Sequence, residues 1–119
     1  MNGYSYQEQL SSLREEFSSS PPADALASSE KIVLLTAILG NIHDAIGYWE
    51  SLYIENYNEV IQRHEGMAAE KLKILAMNCE QYRELQRAKR ASELCLEMIQ
   101  GLKYRTRALA GEWRESGNQ

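Results

Sequence analysis

The sequence predicts an all-α fold: a long antiparallel helical hairpin, a short helix in front of it, and association of copies into a helical bundle. Three observations predict it. Ile32, Leu35, Leu39, Ile42, Ile46, Trp49 and Tyr53 recur at steps of three and four residues, and Val60 continues the series after Asn56. That spacing puts them on one edge of a helix, as in a coiled-coil seam. Both prolines stand together at Pro21-Pro22, while Glu, Gln, Leu, Ala, Arg and Lys abound in the rest of the chain, a composition that favours helix over sheet. Finally, Arg63, His64 and Gly66 form a helix end, with cations in the last turn and a glycine able to adopt the left-handed conformation at C′. At 119 residues and 44% hydrophobic content the chain supports one domain with a core.

Residues 5–17 form the first predicted element, with Tyr6, Leu10, Leu13 and Phe17 on one face. Ser5 and Glu8 have capping-box spacing. A helix of that length is marginal alone and must dock on something. Ser18-Ser19-Ser20-Pro21-Pro22 ends it, and residues 18–28 read as a linker with a weak turn through Ala23–Ala27. The division is thus 1–28, an arm that is mobile or reaches a neighbouring subunit, and 29–119, the hairpin.

Ser28 or Ser29 is the expected N-cap of a long helix from about 29 to 65. Its first turns are apolar on most sides, which calls for several neighbours. Ile32, Leu35, Leu39, Ile42, Ile46, Trp49 and Tyr53 are the expected oligomer interface, since a lone hairpin has a thin core. Asn56 interrupts the stripe, as polar residues that set register or oligomer state do. Gly40 and Gly47, seven apart, either permit close helix approach or are tolerated weak points.

After Gly66 no good N-cap is evident. Leu72, Leu75, Cys79 and Tyr82 begin a second stripe, Leu85, Ala88 and Ala91 step it sideways, and Leu94, Met98, Leu102, Leu109 and Trp113 continue it. The sideways step predicts a bend, a stammer or a break into two helices.

Charge divides the chain. Residues 1–70 carry three cations against eleven acids, and residues 71–119 ten against six, so the formal −4 splits into −8 and +4. Either the halves fold against each other and neutralise, or the basic half meets an external anion such as nucleic acid. Lys103, Arg107 and Arg114 fall on one helical line with Arg105 beside them, and Arg83, Arg87 and Arg90 form an earlier line. Lys103, Arg105, Arg107 and Arg114 are the candidate phosphate contacts, with Tyr104 and Trp113 as stacking faces. The competing account is a solvated face whose cations pair with Glu80, Glu84, Glu93 and Glu97.

Other chemistry is not signalled. His43 and His64 are far apart, neither sits in a Glu-x-x-His pair, and neither cysteine has a second Cys or His at finger spacing, so no metal is expected. No phosphate loop, nucleophile elbow or convergent carboxylate pair can be named, so neither an enzyme nor a cofactor is expected. Tyr48, Tyr53 and Tyr57 read as core and interface, and Met67, Met77 and Met98 as ordinary packing. With no run of eighteen uninterrupted apolar residues, no cationic leader and two unpaired cysteines, a cytoplasmic protein with no membrane partner is expected.

The segment Leu94–Arg114, LCLEMIQGLKYRTRALAGEWR, with Tyr48-Trp49, resembles the small helical recombination mediators of tailed phages, of the UvsY type. The resemblance covers about half the chain and has no diagnostic motif. It implies an oligomer that binds single-stranded DNA and helps load a recombination protein, with Lys103, Arg105, Arg107 and Arg114 on phosphates. The chain departs from that family in being acidic. The alternative is a protein-only interaction module (an adaptor, chaperone or inhibitor) whose acidic first half meets or mimics a partner.

Overall fold

A computed structural model describes the backbone of residues 5–117 and the side chains of residues 6–111. The order is α1 (Ser5–Ser19), α2 (Ala25–Arg63), α3 (Ala69–Met77) and α4 (Glu80–Gly117), with no strand among the described residues. The all-α hairpin is as the sequence predicts: α2 and α4 are the two long rods, each roughly 57 Å at 1.5 Å per residue. Their antiparallel pairing is fixed by Ser28 against Leu102, Leu35 against Cys95 and Tyr53 against Tyr82. The molecule measures 76 × 25 × 20 Å, with a radius of gyration of 20.4 Å. A compact chain of this length would have about 13 Å, so the shape is a bar.

Helix α2 starts earlier than expected. Asp24 is its N-cap, in extended conformation, and its Oδ1 accepts the Ala27 N–H at 2.7 Å. Pro21 and Pro22 stop α1, and Asp24 restarts the helix within two residues. Ser28, expected as the cap, is instead fully buried in the first turns of α2. Its hydroxyl donates to the Leu102 carbonyl at 3.2 Å and accepts from Thr106 Oγ1 at 2.7 Å. A small polar side chain serves here because α2 and α4 approach closely and each hydroxyl has a partner.

At its other end α2 stops at Arg63, where the His64 N–H still reaches the Val60 carbonyl. The Met67 N–H closes a turn on the His64 carbonyl at 3.1 Å, and Gly66 takes φ 84° inside it. Left-handed backbone is thus at Gly66 as expected, one residue beyond C′. The second half of the chain is two helices. Their break lies at Asn78-Cys79, ahead of the sideways step at Leu85–Ala91, which α4 crosses unbroken. As expected after Gly66, α3 has no side-chain cap at its N-cap residue Ala68, whereas Cys79 caps α4: its Sγ accepts the Tyr82 N–H at 3.4 Å and donates to the Ala76 carbonyl at 3.1 Å.

One core runs through three helices. Leu35, Ile38, Ile42 and Ala45 of α2 meet Ala88, Cys95, Ile99 and Leu102 of α4, and Tyr6, Leu10 and Leu13 of α1 close the groove above them. Tyr6 lies beside Glu84 and Arg87, and Glu16 pairs with Lys31 at 3.1 Å, so α1 runs parallel to α4 and antiparallel to α2. The helix expected to be an arm therefore docks on its own chain. The same core absorbs the edge expected to join copies. Leu35 and Ile42 are fully buried, Ile32, Leu39, Ile46 and Trp49 pack half-buried around them, and Tyr53 meets Tyr57 edge-to-face and Tyr82 at a tilt. In this arrangement that edge is occupied within one chain.

Asn56 also works inside the chain. Its Nδ2 donates to the Ala76 carbonyl at 3.2 Å, anchoring the last turn of α3. By length and composition α2 is apolar enough to cross a membrane, with one 18-residue window of mean hydropathy 1.4 that is 22% buried, although no uninterrupted apolar run exists. Its outer face is the reason: Leu26, Val33 and Leu34 are exposed while the inner edge holds the core.

Candidate nucleic-acid interface

The basic residues of α4 sit on a helix whose inner edge is fixed by Leu85, Ala88, Cys95, Ile99 and Leu102. That edge leaves Arg83, Arg87, Lys89, Arg90, Lys103 and Arg107 at least partly open to solvent. The described residues contain three ion pairs: Lys31–Glu16 at 3.1 Å, Arg63–Glu59 at 3.8 Å and Arg87–Glu84 at 3.3 Å. None joins α2 to α4. Among the described residues, direct pairing of the acidic half with the basic half is thus not how the fold handles its charge asymmetry, and of these α4 cations only Arg87 has a described carboxylate within 4.0 Å.

The four predicted phosphate contacts separate. Lys103 and Arg107 are exposed one turn apart, and the Arg107 guanidinium lies 6.0 Å from the centroid of the Tyr104 ring. Tyr104 is 61% exposed, so an open aromatic face sits between two cations. Arg105 points elsewhere: half-buried, its Nε donates to the Pro22 carbonyl at 2.6 Å. It fastens the α1–α2 linker to α4, and buried Pro22 is the residue it holds. The Nε of Arg105 is therefore committed to a contact within the fold. The side chains of Arg114 and Trp113 lie outside the described residues.

The acids of α2, including Glu30, Asp44, Glu50, Glu55 and Glu59, are exposed on the other rod. Packed helices stand about 8–10 Å apart axis to axis. Outward side chains add to that, and the Debye length is about 8 Å at physiological salt. An anion on the outer face of α4 is thus largely screened from those acids.

The second aromatic pair, Tyr48-Trp49, is edge-to-face at 5.1 Å. Trp49 packs on the core and Tyr48 is exposed, so one of the two is open to a ligand. Tyr53 packs against the rings of Tyr57 and Tyr82, and its pKa is raised, first by burial and then by Tyr57, Tyr82 and Cys79. Burial likewise pushes up the Cys95 thiol, which donates to the Leu35 carbonyl at 3.3 Å. His43 and Asp44 are both exposed, and among the described residues no three His, Cys, Asp or Glu side chains converge as metal ligands would.

Sequence reasoning missed Arg14. It is one of three cations in the acidic first half, yet docking of α1 brings it to the same hollow as Arg87 and Arg90. No local signal reports that meeting, because it depends on which side of α4 receives α1. Comparison of this chain with protein-family models, with curated proteins and with solved structures gives no match.

Proposed function

We propose that this protein is a non-enzymatic helical rod that binds single-stranded nucleic acid along the outer face of α4, in the manner of a recombination accessory protein. The observation that carries the reading is the absence, among the described residues, of any ion pair between the acidic α2 and the basic α4. Neutralising cations internally would have consumed them. Left outward, Lys103 and Arg107 frame Tyr104 as phosphate contacts frame a stacking base. The recombinase-loading role is an expectation taken only from the resemblance read in the sequence of Leu94–Arg114. A homo-oligomer remains part of the proposal, but its contacts must lie outside the occupied Leu35–Ile42 edge.

The test is fluorescence anisotropy of a labelled thymidine strand, about twenty nucleotides long, at low salt. The Lys103→Glu, Arg107→Glu, Arg114→Glu triple variant should lose binding while its circular dichroism stays unchanged. Unaltered binding by that variant rules out the assignment.

A protein-only interaction module is the second reading, favoured by the far tip. Ile54 and Ile61 of α2 and Ile74 and Leu75 of α3 are large apolar side chains left exposed at the hairpin end of the fold. Apolar surface of this kind marks protein contacts. Light scattering of the pure protein decides whether copies use it: Ile61→Asp with Ile74→Asp should lower the assembly mass if they do.

A further inference from the structure

A hollow of about 310 Å³ lies between α1 and α4, on the stretch of α4 that precedes Lys103. Its polar rim is Gln7, Ser11 and Arg14 from α1 with Arg87 and Arg90 from α4, and its floor is Leu10, Ala91 and Leu94. The hollow does not end there. Arg14 also lines a depression towards Ser18, and Arg87 and Arg90 line another with Tyr82 and Arg83. The furrow at the α1–α4 seam thus carries three guanidinium groups, Arg14, Arg87 and Arg90, and is flanked by one depression on α1 alone and one on α4 alone, where Arg83 lies.

Two features of this furrow are unexplained by folding alone. Like charges from separate helices are brought together, which opposes docking of α1 unless something compensates. Glu84 pairs with Arg87, and Glu15 lines the depression beside Arg14, but neither Arg14, Arg83 nor Arg90 has a carboxylate within 4.0 Å among the described residues. The second feature is independent. Gln7 Nε2 is buried and meets no hydrogen-bond acceptor, the one such side-chain atom among the described residues. It lies near enough to the Tyr6 phenol to favour that group's ionised form, without hydrogen-bonding geometry to it. A buried amide donor without an acceptor is costly, and Gln7 is one of the residues that line the hollow.

We propose that the α1–α4 furrow is a nucleotide-phosphate site. The phosphate is gripped by Arg14 and Arg90, the Gln7 amide turns out of its buried position to donate to one of its oxygens, and the sugar and base lie over Leu10, Ala91 and Leu94. Planar guanidiniums suit phosphate oxygens, and a hollow of this size with an apolar floor suits the rest of a nucleotide. Either a free nucleotide or one residue of a strand presents this chemistry. In naming the strand as a source the proposal rests on the nucleic-acid reading of α4; the site itself stands on its own geometry.

The experiment is nuclear magnetic resonance of the full ¹⁵N-labelled chain. The Gln7 side-chain amide and the Arg14 and Arg90 Nε resonances are followed during titration with thymidine monophosphate, the same thymidine strand and, as a control, sulfate at matched ionic strength. Thymidine monophosphate is expected to shift the Gln7 amide saturably, and Arg14→Ala with Arg90→Ala to weaken that binding at least tenfold. Gln7→Met should weaken it too while leaving or raising thermal stability, because it removes the orphan donor; a Gln7 needed only for folding would do the opposite. Lys103→Glu with Arg107→Glu should leave the monophosphate titration intact. Equal shifts with sulfate, a silent Gln7 amide, or wild-type affinity in the double alanine variant would overturn the site. A strand that binds through Lys103 and Arg107 with Gln7 silent overturns the furrow and keeps the α4 reading. A monophosphate that binds while the strand does not keeps the furrow and removes that reading.

Discussion

The two ends of the bar are built differently. Where α1 lies across the hairpin, three helices converge and Leu35, Ile42, Ala45, Ala88 and Cys95 are sealed from solvent. At the far tip only α2, the nine-residue α3 and the start of α4 meet; Ala76 is fully buried there while Ile74 is 68% exposed. Two rods offer each other one edge apiece, so a hairpin can seal a line of residues but not a volume. A third helix turns that line into a core. The tip compensates with local devices: Asn56 on the Ala76 carbonyl, the Cys79 cap, and the cluster of Tyr53, Tyr57 and Tyr82.

This contrast can be broken deliberately. Leu35→Ala at the sealed end should cost about 2–5 kcal/mol, as core truncations do, measured by urea denaturation. A cost under about 1 kcal/mol would mean that α1 does not close the groove. Alkali attacks both ends in turn. Tyr6, Cys95 and Tyr53 all have folded pKa values raised, chiefly by burial, above ordinary values of 10.0, 9.0 and 10.0. Their contribution is complete below those values. It is lost as pH rises through them, because the unfolded chain ionises first. Stability should therefore be insensitive to these groups at neutral pH and fall from about pH 9 upward. Cys95→Ala should blunt the early part of that fall, and an unchanged profile would show that the thiol is not buried against Leu35.

Smaller effects are expected at the tip. Asn56→Ala removes one hydrogen bond and should cost about 1 kcal/mol. It should also speed amide exchange in α3 without changing exchange around Ile42. Equal acceleration at both ends would mean that the tip and the sealed end unfold together. Smallest of all, Ile74→Ser replaces an exposed apolar side chain and should alter monomer stability by no more than about 0.5 kcal/mol. A larger loss would show that Ile74 is covered in solution, which is what the interaction-module reading requires.

The same contrast explains what the sequence could reveal. Periodicity reports which edge of a helix is apolar, and the edge from Ile32 to Trp49 is the inner edge of α2. It cannot report who covers that edge. The chain's own α4 and α1 do so, where copies of the chain were expected. Caps were misjudged for a similar reason: Ser28 has the right chemistry for an N-cap, but Asp24 stands at the start of α2, and Ser28 is drawn inward by the Leu102 carbonyl. A cysteine as the cap of α4 is outside the usual Ser, Thr, Asp and Asn set, so the break at Asn78-Cys79 left no clear mark. Among the basic residues, Lys103 and Arg107 kept the exposure their helical line implies, whereas Arg105 was diverted by Pro22, 83 residues away along the chain. Arg14 entered the basic surface by the reverse route, through docking of α1.

The proposed function turns on the outward cations of α4, and the salt dependence of single-strand binding tests them most directly. Affinity for the thymidine strand should fall linearly on a double-logarithmic plot. The slope should change by about 0.7 for each phosphate neutralised, so that Lys103→Ala with Arg107→Ala flattens it by roughly 1.4. A chain that leaves the strand unbound even at low ionic strength, or a variant whose slope equals that of the parent, would contradict that function.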